Sequence, residues 1–234
     1  MKVAIFNEFI HEKEIEEVKE IYPDGIHTAI KNFLPKEYEI VTTTLDDCEQ
    51  ALTPEFLQTV DVLLWWGHAG HNKVSDKVAC DVRDAVHSGM GFIALHSGHH
   101  SKPFKLLMGT PCSLSWREHG DKERVWVIDP SHPIARGIDR YFVVEHEEMY
   151  GEPFSIPEPD KLVFIGSYEG GEVFRSGCCY QRGNGKIFYF QPGHESYPTF
   201  YNPSVQRVIK NAVEWAKPAY RKEIDCPHVE KISD

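Results

Sequence analysis

Short, mainly apolar runs alternate along the first half of this chain with stretches whose apolar positions recur three and four residues apart. The runs cover residues 2–6, 38–42, 62–66 and 91–95. Runs of that length without polar alternation predict strands buried on both faces of a parallel sheet. Between them, residues 11–22 read as an acidic, mostly helical stretch, and 27–34 as a helix with Ile26, Ile30, Phe33 and Leu34 at helical spacing. Thr53-Pro54 predicts a capped helix start. Ser75 predicts the cap of a helix that carries Val78, Val82, Ala85 and Val86 and stops at Gly89. This βα alternation predicts a flavodoxin-like, doubly wound α/β fold.

The pattern changes after residue 120. Strands are predicted over 123–128, 142–145, 162–167, 173–181 and 186–191, with little helix between them. Gly183-Asn184-Gly185 joins the last two as a hairpin. Asn202-Pro203 opens a final helix on which Val205, Val208, Ile209, Ala212, Val213 and Ala216 share a face. The expected architecture is therefore a mostly parallel sheet with an antiparallel extension. Residues 1–217 read as one domain, and 218–234 as a polar tail.

Three of the apolar runs lead into histidine. Leu63-Leu64-Trp65-Trp66-Gly67 precedes His68, Gly91-Phe92-Ile93-Ala94-Leu95 precedes His96, and Ile187-Phe188-Tyr189-Phe190-Gln191-Pro192-Gly193 precedes His194. Parallel strands share one carboxyl edge, and ligands of open α/β sheets bind there. Three imidazoles arriving at that edge suit proton transfer or metal ligation. Their convergence is an expectation, because each alone also reads as an ordinary strand-end polar residue.

Composition narrows the chemistry. At 234 residues and 41% hydrophobic content the chain can bury a sizeable core. A formal net charge of −11 argues against a nucleic-acid partner, which needs a basic surface. No run approaches the roughly 20 apolar residues of a membrane span, and the apolar run after Met1-Lys2 is too short for a signal peptide. Six cysteines include no Cys-x-x-Cys pair, so zinc-ribbon and thioredoxin chemistry are excluded. Reduced thiols in a cytoplasmic protein are the economical reading.

Ala94-Leu95-His96-Ser97-Gly98 has the form of an elbow between a strand and a helix, where a reactive side chain is displayed. His96 stands at the apex and Ser97 one place beyond it. Ser97 and Gly98 are candidates to offer backbone N–H groups to a substrate oxygen. Together with Ser131-His132-Pro133-Ile134, Glu147-Glu148-Met149-Tyr150 and Gly185-Lys186-Ile187-Phe188-Tyr189 leading to Gly193-His194-Glu195, this elbow resembles the trehalose-utilisation, ThuA-like family. That family lies within the class I glutamine amidotransferase-like superfamily. The third motif usually begins with Asp, so Glu147 departs slightly from the pattern. Amidotransferase relatives carry cysteine at the elbow. Imidazole cannot carry a glutamyl thioester, so glutaminase activity is not expected here. The resemblance implies disaccharide catabolism, with oxidised (keto) sugars as substrates.

The remaining candidates are weighed by position. In Glu145-His146-Glu147-Glu148, strand alternation would pair His146 with Glu148 and Glu145 with Glu147. Trp116, in the polar stretch 113–121 beside Arg117 and His119, is the best sugar-stacking candidate. Trp65 and Trp66 read as core, and His132 as a structural helix-start residue. His99 and His100 stay open, and His11, His27, His87 and His228 receive no role. The expectation is a hydrolase or lyase of trehalose or a keto-disaccharide. Its catalytic residues would be His96, His194 and Glu148, and its substrate contacts Ser97, Gly98, Trp116 and Tyr150. A divalent metal, zinc best, would be held among His68, His96, His146 and His194. No nucleotide cofactor is expected, and a homo-oligomer is allowed. Metal-assisted and purely acid–base mechanisms both remain open. So does a non-catalytic sugar-binding or regulatory module that kept the pocket without the cysteine.

Overall fold

The computed structural model describes residues 1–222 and 225–232. Nine strands form one sheet in the order β2-β1-β3-β4-β9-β8-β7-β5-β6. The strands are β1 (Lys2–Asn7), β2 (Glu39–Thr44), β3 (Val62–Trp66), β4 (Gly91–Leu95), β5 (Ser115–Val127), β6 (Tyr141–Gly151), β7 (Lys161–Tyr168), β8 (Val173–Arg182) and β9 (Gly185–Phe190). From β2 through β9 all pairings are parallel. From β9 through β6 all are antiparallel. The hairpin of β8 and β9 is the hinge between the halves, with Gly177 opposite Phe190 and Arg182 opposite Gly185.

The central strands are apolar on both faces because both faces are covered. On one face lie α3 (Ile26–Phe33) and α8 (Pro203–Ala216), and residues such as Ile5, Leu64, Ile93, Phe188 and Ile209 join in one core. The other face packs α6 (Asp76–Ser88) and α7 (Lys102–Met108) against Phe6, Leu63, Trp65, Phe92 and Tyr189. The caps act as their residue types require. Ser75 accepts from Val78 N–H, and Asn202 from the N–H groups of Ser204 and Val205.

Three local expectations change. The acidic stretch forms two short helices, α1 (His11–Glu14) and α2 (Glu16–Ile21), broken at Ile15, whose backbone is extended. The elbow continues not into an α-helix but into a 3₁₀ turn, His96–His100, before Ser101 caps α7. The polar stretch after residue 113 is largely strand. It forms the first half of β5, and its pairing with β6 shifts register between Arg117 and Asp121 and again between Asp121 and Glu123. Of the expected polar tail, residues 223, 224, 233 and 234 lie outside the described residues. Its first part docks: Lys222 N–H donates to Ser88 O, and Arg221 reaches the carbonyls of Gln58 and Val60. Among the described residues no helix is long and apolar enough to cross a membrane.

Candidate functional site

The carboxyl ends of β3, β4 and β9 bring His68, His96 and His194 together. Their ring centroids lie 5.0–5.7 Å apart. One potential ligand atom from each, and one from Glu148 on β6, fall within 4.8 Å of one another. The cluster closes one end of an open cavity of about 410 Å³, whose walls include His71, Ser97, His99, Trp116, Glu118 and Tyr150.

His96 is the floor of the site. It has φ of +50°, a left-handed conformation rare for a residue with a Cβ, and it is fully buried. Gly193 permits this approach: at φ +152° a Cβ there would sit 3.2 Å from His96 Cβ and 2.9 Å from Phe200 Cζ. His96 Nδ1–H donates to Gln191 O at 3.0 Å, which leaves Nε2 facing Glu148 Oε2 at 3.1 Å and the Tyr150 hydroxyl at 3.3 Å. Burial alone would lower its basicity. Glu148, Glu147 and Glu195 more than reverse that and raise its pKa to about 9. Burial likewise opposes ionisation of Glu148, but His96, His194 and His68 outweigh it and hold the carboxyl below its usual range.

The other two histidines differ in their second nitrogens. His68 Nδ1 meets Glu195 Oε1 at 2.5 Å, so its Nε2 carries the lone pair. His194 Nδ1 instead accepts the Ser196 N–H at 3.1 Å, which places the neutral ring's proton on Nε2. That Nε2 lies 3.5 Å from Glu118, 3.9 Å from Glu195 and 4.0 Å from Glu148. Burial, reinforced by His96 and His68 against the pull of Glu195, lowers the His194 pKa to about 4 and keeps the ring neutral.

Glu147 fixes the loop that carries His194. Its fully buried carboxylate accepts from the N–H groups of Gly193 (2.9 Å), His194 (3.0 Å) and Glu148 (3.1 Å) and from Thr199 Oγ1 (3.0 Å). Burial raises its pKa, while His96 and these donors pull it back.

Other candidates fall in different places. Tyr150 stacks on His96 with centroids 4.9 Å apart, and its hydroxyl bonds Ser97 Oγ at 2.6 Å. Trp116 lines the cavity and is 65% exposed. His146 is outside the cluster. Two β6 residues, Glu145 and His146, lie between Val144 and Glu147 where β5 has only Lys122 between Glu123 and Asp121, and this bulge breaks the alternation that would have put His146 beside Glu148. His146 is exposed and lies 3.2 Å from Gly120 O. Gly98 does not line the cavity. It is buried where a Cβ would meet Trp65 O at 2.9 Å, so its role is close packing.

Three participants were not singled out. Glu118 carries no signal in a polar stretch. His11, the first residue of α1, meets Glu195 Oε1 at 2.5 Å, the same oxygen that holds His68. Two imidazoles keep Glu195 ionised far below the usual carboxylate range despite its burial. Glu195 stands in the sequence only as the last residue of the Gly193-His194-Glu195 motif.

The chain's affinities agree with this geometry. The sequence model of the trehalose-utilisation family, ThuA, spans residues 2–216. This chain belongs to that family. As a ThuA-family protein it is similar in structure to a ThuA-like protein from Bacteroides uniformis ATCC 8492, with TM-score 0.68 and 17% identity over 92% of this chain and 90% of that one. A cytoplasmic protein from Salmonella typhimurium gives TM-score 0.65 and 14% identity over 93% and 100%. The glutaminase domain of a Trypanosoma brucei CTPS gives TM-score 0.51 and 10% identity over 96% and 98%. At these identities the likeness speaks for the fold alone. No curated protein matches this ThuA-family chain in sequence.

Spacing separates two candidate ligand groups. Ligands on a four-coordinate zinc at about 2.0–2.1 Å stand roughly 3.3 Å apart. The His96–Glu148 contact, 3.1 Å, is close to that edge, whereas the 4.0 Å from Glu148 to His194 exceeds it. Glu148 Oε2 is buried yet makes no well-formed hydrogen bond, as expected of an oxygen aimed at a shared point and not along a ring N–H. The second group, His11, His68 and Glu195, is also compact. Its 2.5 Å contacts are hydrogen-bond distances, so Glu195 and His11 form an orienting shell around His68.

Proposed function

We propose that this protein is a carbohydrate-catabolic enzyme, a hydrolase or lyase of trehalose or a keto-disaccharide, that uses one divalent cation and has no glutamine amidotransferase activity. The observation that carries the reading is the convergence of His68, His96, Glu148 and His194 at the end of a cavity that Trp116 flanks. His68 Nε2, His96 Nε2 and Glu148 Oε2 would hold the ion, and the N₂O donor set suits zinc with an open position. A bound zinc would supply Lewis-acid polarisation of a carbonyl or a water of lowered pKa.

The chain's own residues do the rest. His194, neutral with its proton on Nε2, is placed to donate a hydrogen bond from that N–H to a substrate oxygen that gains negative charge. Glu195 and His11 hold His68 in the tautomer that keeps Nε2 free. Ser97 and Tyr150 present paired hydroxyls to the substrate. The exposed indole of Trp116 offers an apolar face to a sugar ring.

A second reading uses the same residues without an ion. It is favoured by the 3.1 Å ion-pair contact of His96 with Glu148. Glu148 then acts as base on the carbon next to a ketone, and the His96 imidazolium, whose pKa is raised to about 9, supplies the proton to the leaving oxygen.

The test is turnover of trehalose and of its keto derivative by tag-free protein, before and after chelation and after zinc is restored. Loss on chelation and recovery with zinc support the metal-dependent form. Turnover indifferent to chelation but abolished in Glu148→Gln assigns the chemistry to acid–base residues alone. No binding and no turnover of either sugar overturns the carbohydrate reading.

A further inference from the structure

Among the described residues, three that are not glycine have positive φ: Phe9 at +52°, His96 at +50° and Cys112 at +55°. Such conformations persist only where the surroundings enforce them, and they gather at functional sites. His96 is the floor of the cluster, and Phe9 lies two residues before His11. Cys112 has no place in the chemistry above, yet its carbonyl accepts the Nδ1–H of His99 at 2.7 Å.

The Cys112 segment is pinned for this purpose. Cys112 N–H donates to Ser155 O at 3.1 Å, and Ser155 N–H donates to Ser113 O at 2.7 Å. Thr110 Oγ1 also reaches Ser155 O, at 2.7 Å. The His99 ring is caged edge-to-face by Tyr150 and Phe154, with centroids 5.5 Å away from each, and by Tyr189 at 6.1 Å. Only 6% of the residue is exposed, and that part lines the cavity. With Nδ1 engaged, Nε2 is the remaining polar atom, and among the described residues nothing hydrogen-bonds to it. Burial holds the imidazole well below its ordinary pKa, and no carboxylate is among the causes that act on it. Tyr150 stands between this ring and His96, stacked on one and edge-on to the other. Glu148, Tyr150 and His99 line the same cavity, so a ligand bound beside Glu148 is within reach of the His99 edge.

We propose that His99 is a specificity-determining residue: a ring whose tautomer is fixed by Cys112 and whose Nε2 accepts a hydrogen bond from one hydroxyl of the bound sugar. The assignment rests on the carbohydrate reading above. A buried acceptor discriminates sharply, because a ligand lacking the matching hydroxyl leaves it desolvated and unpaired.

The probe is trehalose with its set of monodeoxy analogues, measured by calorimetry against wild-type protein and His99→Asn. The Asn amide nitrogen retains a donor for the Cys112 carbonyl and removes the acceptor at Nε2. The expected result is that one monodeoxy analogue binds wild type about tenfold more weakly than trehalose, and that this gap closes in His99→Asn. A second readout needs no variant. The lone-pair ¹⁵N resonance of His99 Nε2 in wild-type protein moves on adding trehalose and stays in place with that one analogue. A gap that persists in His99→Asn, or a variant that weakens all the sugars equally, overturns the assignment and leaves the carbohydrate reading intact. Failure of wild type to bind any of these sugars overturns that reading and the assignment with it.

Discussion

Replacing Glu123 by Gln should stabilise the protein, and more so as pH rises. Glu123 is fully buried on β5, with Ser176 Oγ at 3.3 Å from Oε1 and no partner for Oε2. Burial, then the charge of nearby Glu147, raises its pKa well above 4.5. Glu147 has four donors and Glu123 one, so of this neighbouring pair Glu123 is the group left protonated. The sign follows from linkage. A carboxyl whose folded pKa is raised contributes stability that is complete below the unfolded pKa and is lost as pH rises through the folded one. Above the unfolded value of 4.5, each pH unit through which the carboxyl stays protonated in the fold costs roughly 1.4 kcal/mol of stability. Gln is isosteric with the protonated acid and carries no such term. Urea unfolding of both proteins at pH 5 and pH 7 should therefore show the stability difference moving in favour of the variant as pH rises, by at most roughly 1.4 kcal/mol for each pH unit over which Glu123 stays protonated in the fold. A difference that is equal at the two pH values, or that moves toward wild type, would refute the reasoning.

Three further outcomes are expected. Glu147→Ala leaves three backbone N–H groups and the Thr199 hydroxyl without their acceptor, and denaturant unfolding should show a loss of roughly 3–5 kcal/mol; a loss below about 1 kcal/mol would contradict the staple. His11→Ala should weaken zinc binding by about 10–100-fold through a loosened His68, measured by competition with a chromophoric chelator, and unchanged affinity would remove His11 from the site. Neither the wild-type protein nor any of its single cysteine variants should release ammonia from glutamine; release that vanishes with one cysteine would reinstate amidotransferase chemistry.

The parts of this structure legible in the sequence are those that a short-range pattern encodes. β3 and β4 lie where the unbroken apolar runs place them, and the Ser75 and Asn202 caps form as their residue types predict. Parallel strands share an edge, so His68, His96 and His194 meet once the sheet forms. What was not legible depends on long-range or irregular geometry. His11 reaches Glu195 across 184 positions from the first residue of a four-residue helix too short to show a period. The β6 bulge between Val144 and Glu147 undoes a period-two inference and exchanges His146 for Glu148 as the carboxyl-side partner. The first half of β5 is polar because much of it is exposed, so it gave no strand signal. The tautomers of His99 and His194 are set by the Cys112 carbonyl and the Ser196 amide. Those backbone groups acquire their positions only in the folded loops.

The central claim is that His68, His96 and Glu148 together hold one divalent ion while His194 stands beside it as a hydrogen-bond donor. The most direct measurement is the metal content of tag-free protein equilibrated with zinc, for wild type, His96→Ala, Glu148→Gln and His194→Asn. One equivalent in wild type and in His194→Asn, with loss of it in His96→Ala and Glu148→Gln, is the predicted result. No stoichiometric metal in wild type, or uptake unaltered in His96→Ala and Glu148→Gln, would contradict it.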